Sequence, residues 1–146
     1  MRALIDTNLL IANLLSEASA TSAVGVIFQA ALADRFTLLL PVGIMEELDR
    51  NLLSDPVLAT RVARADADAL ITILSTVAEL VPLLPKPYPE VGRDRKDDFL
   101  IVHSVIAKAD YLVSWDKDLL TIEEIEGIRI VSPPEFSQVL RAADLL

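Results

Sequence analysis

Short apolar runs alternate with helical stretches along the whole chain, and that alternation constrains the fold more than anything else in the sequence. The runs are "RALI" at 2–5, "FTLLLP" at 36–41, "AELVPLL" at 78–84, "DYLVSW" at 110–115 and "IRIVS" at 128–132. Each is strand-length, apolar and bounded by turn residues. Between them lie helical patterns at 8–18, 21–33, 43–52, 57–78 and 97–109, a short helix and turn over 116–127, and a closing helix at 133–146. Thr7 or Asn8 is placed to cap the first helix, and Thr21 or Ser22 the second. Ile44, Leu48 and Leu52 repeat at i+4 spacing. Asp55-Pro56 breaks the pattern, and Pro82 marks a sheet edge or a strand end. Strands alternating with helices predict a three-layer α/β/α sandwich around a central parallel sheet of about five strands. Strand order stays open. The 146 residues are expected to form a single domain, with a proline- and charge-rich loop, "PKPYPEVGRDRK" at 85–96, as the one long connection.

Composition narrows the function. The chain is 53% hydrophobic and 24% charged, which excludes disorder. It has no cysteine, which excludes disulfides and thiolate metal sites. No run reaches the ~20 apolar residues a membrane span needs, so a soluble, cytoplasmic protein is expected. A net charge of −9 argues against broad non-specific binding to a polyanion and permits a divalent cation.

Acidic residues recur where a parallel sheet places ligands, beyond the carboxyl ends of its strands. Asp6 follows the first strand and Asp116 the strand "YLVSW". Asp97 opens the helix leading into that strand, which puts it on the same rim. Glu46 and Glu47 open the helix after "FTLLLP". Several carboxylates gathered within ~4–6 Å repel one another unless a cation offsets them. Hard oxygen ligands, without cysteine and with one histidine, suit Mg²⁺ or Mn²⁺. Such an ion activates water and offsets charge on a phosphate, which is the chemistry of phosphodiester hydrolysis.

The bland readings are concrete. Asp6 could cap the first helix, and Asp97 or Asp98 the buried one. Asp118 could be an ordinary first-turn acid. His103, among apolar residues, reads as a hydrogen-bonded core histidine. Arg93, Arg95 and Lys96 are either a solvated loop or phosphate contacts.

"LIDTNLL" at 4–10, "MEEL" at 45–48, "KDDFLIVHSVIAKADYLVSWDKDLL" at 96–120 and "IRIVSPPEFSQVL" at 128–140 together resemble the PIN-domain family. They are similar in particular to its branch described as toxin components of toxin–antitoxin systems. The resemblance implies a metal-dependent ribonuclease whose acidic quartet falls on Asp6, Glu47, Asp97 and Asp116, with Asp118 as a fifth acid. It implies that Ser114 supports the site and Asn8 orients Asp6. Trp115 departs from the family pattern, where a small or polar residue is common; it would narrow the cleft or stack on a base. The implied partners are RNA, an antitoxin and a second copy of the chain. Two other readings compete. One is a PIN-like module that binds RNA or protein without turnover. The other is a phospho-receiver domain, which lacks the aspartate it would need at the exit of the third strand.

Overall fold

The computed structural model describes residues 1–15, 22–91 and 95–146. Its elements run β1 (Arg2–Ile5), α1 (Thr7–Leu15), α2 (Ala23–Leu32), β2 (Thr37–Pro41), α3 (Ile44–Ser54), α4 (Pro56–Arg61), α5 (Arg64–Val77) and β3 (Glu79–Val81). They continue with α6 (Arg95–Ile106), β4 (Tyr111–Val113), α7 (Lys117–Ile122), β5 (Glu124–Ile125), β6 (Ile128–Val131) and α8 (Pro133–Ala142). The expected α/β sandwich is what forms.

The strands make one six-stranded sheet in the order β3-β2-β1-β4-β6-β5. All pairings are parallel except β5 with β6. Side chains alternate across the sheet, as the strand period of two requires. Ala3, Ile5, Leu38, Leu40, Val113 and Val131 face a core closed by α1, α2, α3, α5 and α8. Leu4, Leu39, Leu112 and Ile130 face the opposite core, closed by α6 and α7. With both faces covered, the strands are near-continuous apolar runs, as parallel sheets demand.

Local signals explain most boundaries. Ser22 caps α2, its hydroxyl accepting from the Gly25 N–H at 3.0 Å. Ser132 and Glu135 form a reciprocal capping box at α8, with prolines in its first turn. Gly43, at φ 89°, turns the chain from β2 into α3 in the left-handed region that glycine enters without penalty. β3 stops before Pro82 and lies at the sheet edge.

Three expectations need correcting. Neither Thr7 nor Asn8 caps α1. Both lie inside its first turn, and the Asp6 side chain accepts the Asn8 N–H at 3.2 Å. α6 begins at Arg95, so Arg95 and Lys96 sit on its first turn rather than in the preceding loop. It ends at Ile106, where Lys108 turns the chain at φ 55°. The segment 116–127 holds a strand as well as a helix: Glu126 and Gly127, both at positive φ, turn β5 back onto β6.

Candidate functional site

The order of strands places β1 beside β4, in parallel register with Ile5 opposite Val113. After β1 the chain winds outward through β2 and β3; from β4 it winds the other way. The β1/β4 junction is therefore a switch point, where the carboxyl ends of an open parallel sheet leave a crevice. Asp6 and Ser114 are the next residues on the two strands. The Asp6 N–H continues the ladder to the Val113 carbonyl at 3.1 Å, and the Ser114 N–H does so to the Val131 carbonyl at 3.0 Å.

Asp6 is only 2% exposed. Taking a carboxylate out of water is costly unless hydrogen-bond donors or an opposite charge meet it. Asp6 has both. The Ser114 hydroxyl donates to Oδ2 at 2.9 Å. The Asn8 N–H donates to Oδ1 at 3.2 Å, and the Lys96 ammonium stands 3.5 Å from the same oxygen. Ser114 is itself fully buried and accepts the Asp116 N–H at 3.0 Å, so one hydroxyl joins the two strand exits. Asp116 caps α7, its Oδ1 accepting the Asp118 N–H at 2.9 Å. Asp97, beside Lys96 on the first turn of α6, is fully buried.

A family model described as "PIN domain" matches residues 2–118. The chain belongs to the PIN-domain family. The fold is similar to that in the crystal structure of VapBC2 from Rickettsia felis bound to a DNA fragment from its promoter. That structure aligns with a TM-score of 0.57 at 10% identity, over 90% of this chain and 98% of that one. No curated protein sequence matches the chain.

The elements carrying the expected PIN acids share one rim of the sheet. Asp6 and Asp116 leave adjacent strands, α6 starts where Lys96 reaches Asp6, and α3 starts from the carboxyl end of β2, next to β1. The side chains themselves are less tightly drawn together. Among the described residues, no group of three or more His, Cys, Asp or Glu stands close enough to hold a metal ion. Glu47 is exposed, and the contacts of the described residues do not tie it to the Asp6 network. Asp116 and Asp118 are half-buried. Asn8 is exposed and reaches Asp6 through its backbone N–H, a contact any residue but proline could supply.

The donor set nonetheless suits a hard cation that keeps much of its water. Mg²⁺ is commonly held by one or two carboxylates plus a substrate phosphate, not by a full protein cage. Asp6 already has a cation, Lys96, against one of its oxygens. Trp115, between Ser114 and Asp116 just beyond β4, is 53% exposed. Arg95 is exposed on the first turn of α6. Arg93 lies outside the described residues.

Asp98 and His103 hold the segment 84–91 against α6. The Asp98 carboxylate accepts the Val91 N–H at 2.8 Å. His103 is fully buried and accepts the Leu84 N–H at Nε2, 3.1 Å, while Nδ1 lies 2.8 Å from the Phe99 carbonyl. With Nδ1–H donating, both ring nitrogens are satisfied as a neutral imidazole. Tyr88 packs edge-on against Phe99 and His103. His103 is thus the hydrogen-bonded core histidine expected, and residues 84–91 are fastened along the helix that carries Lys96 and Asp97.

Proposed function

We propose that this chain is a metal-dependent ribonuclease acting at the β1/β4 crevice, with Asp6, Asp97 and Asp116 as the acids nearest the reaction and Glu47 and Asp118 as further ligands from the same rim. The observation that carries the reading is the desolvated Asp6 carboxylate, oriented by Ser114 at the switch point of the sheet. Burying an anion there is costly by several kcal/mol, and a cation-binding role explains why the chain tolerates it. Mg²⁺ or Mn²⁺ held there would activate water and offset charge on the phosphorus oxygens. The chain's own part is to fix Asp6 through Ser114, to exclude water beneath it, and to present Trp115 for stacking on an unpaired base. Arg95 and Lys96 stand beside the crevice as contacts for phosphate.

An antitoxin partner belongs to the same reading. The sequence resembles the toxin branch of the PIN-domain family, and the structurally similar VapBC2 is seen bound to a DNA fragment from its promoter. A chain of net charge −9 is suited to a partner carrying basic side chains. On this reading residues 1–146 form one PIN-like domain that acts in the cytoplasm and pairs with a second copy of itself.

The test is cleavage of a mixed RNA pool with Mn²⁺, by the natural protein and by the Asp6→Asn, Asp116→Asn double variant. The natural protein is expected to cleave with Mn²⁺ and to stop in EDTA, with the variant about 100-fold slower or worse. Equal cleavage by both would mean a contaminant. RNA binding without cleavage by either would favour a non-catalytic binding module.

A further inference from the structure

Among the described residues, Lys96 carries the cation set against Asp6. Its ammonium lies 3.5 Å from Asp6 Oδ1, its side chain is 46% exposed, and its partner carboxylate is 2% exposed. The two ends of this pair differ in freedom. Asp6 is fixed by the Ser114 hydroxyl and the Asn8 N–H. Lys96 reaches in from the first turn of α6 on a flexible stem and can swing back into water. A buried, preorganised carboxylate facing a retractable ammonium is an arrangement for exchanging one cation for another. Two cations at one carboxylate oxygen repel, so a divalent ion engaging Oδ1 would have to displace the ammonium.

We propose that Lys96 is a tethered counter-ion that stabilises the metal-free crevice and competes with a divalent cation for Asp6. The proposal rests on the metal-binding reading above and adds a residue with an opposite sign of effect: removing a positive side chain both weakens the metal-free fold and tightens metal binding. Without metal, Lys96 supplies the charge that a buried Asp6 requires. With metal, the ammonium is released to the rim.

The experiment compares Mn²⁺ binding by calorimetry and thermal unfolding in EDTA for the natural chain, Lys96→Met, Lys96→Arg and Lys108→Met. Methionine keeps the apolar stem and removes the charge. Lys108, exposed at the far end of α6, controls for the general loss of one positive charge. Lys96→Met should bind Mn²⁺ about 5-fold more tightly, because its ligand no longer competes with an internal cation. Its Tm in EDTA should fall by about 3 °C. Saturating Mn²⁺ should close or reverse that gap. Lys96→Arg should keep the Tm in EDTA. Unchanged Mn²⁺ affinity in Lys96→Met, or equal tightening in Lys108→Met, would overturn the exchange while leaving the metal site standing. Absence of Mn²⁺ binding in every form would overturn both.

Discussion

The Ser114 hydroxyl donates to the buried Asp6 carboxylate at 2.9 Å and accepts the Asp116 N–H at 3.0 Å. One oxygen therefore ties together the exits of β1 and β4, whose carboxylates are far apart in sequence. Ser114→Ala would leave Asp6 short of a donor and the Asp116 N–H short of an acceptor. We expect a loss of about 1–3 kcal/mol in urea unfolding. RNA cleavage should fall about 10–100-fold, the usual cost of removing a group that orients a ligand. Ser114→Thr, which keeps the hydroxyl, should recover most of both.

Trp115 is a different case, because little of the fold depends on it. At 53% exposed it buries only part of its ring. Trp115→Ala should change stability by no more than about 0.5 kcal/mol. If the ring stacks on a base, KM for single-stranded RNA should rise about 10-fold while kcat holds, since one stacking contact is worth ~1–3 kcal/mol. Trp115→Phe should fall between the two. Steady-state kinetics on a short oligonucleotide separates these outcomes.

His103 is predicted to matter for stability and not for chemistry. It is fully buried, it holds the Leu84 N–H, and it contacts Tyr88 and Phe99. His103→Ala would open a cavity and strand that amide, costing about 2–4 kcal/mol. Hydrogen exchange should speed up at Leu84 first. A variant that loses activity while Leu84 stays protected would contradict this assignment.

The Arg2–Glu79 pair gives a pH prediction with a definite sign. The Arg2 guanidinium grips both Glu79 oxygens, at 2.9 and 3.0 Å, and its hydrogen bonds hold the Glu79 carboxyl below the ordinary glutamate range. A carboxyl lowered in the folded state stabilises the fold above the unfolded value, about pH 4. That contribution is lost as pH falls through the lower folded value. Glu79 is exposed, so the effect is small and screened. Glu79→Gln should show a shallower loss of urea midpoint than the natural chain as the pH falls below about 4. At neutral pH the natural chain should be the more stable of the two.

The alternation of apolar runs and helical patterns made the sandwich legible because a parallel sheet covered on both faces needs continuous apolar strands. β1 and β2 sit within a residue of their sequence bounds for that reason. β5 was hidden: two residues carry no alternation, and Glu126-Gly127 was the only local sign of a hairpin. The start of α6 is hard to place from sequence because first-turn amides need no intrahelical acceptor, so Arg95 and Lys96 read as loop. Their place on the helix is what brings Lys96 within reach of Asp6. The end of α6 was hidden because Lys108, not glycine, takes the left-handed position. Strand order was not legible at all. It depends on which crossovers pack, and without it Asp6 and Asp116 could only be assigned to a common rim.

On the proposed function, Asp6 is held buried in the crevice in order to bind a divalent cation. Diffraction from Mn²⁺-soaked crystals, recorded at the manganese absorption edge, tests it most directly. We expect an anomalous peak at bonding distance from Asp6, with the Lys96 ammonium withdrawn from Oδ1. Saturating Mn²⁺ with no peak at Asp6, and Lys96 still seated against it, would rule out a divalent cation at this carboxylate.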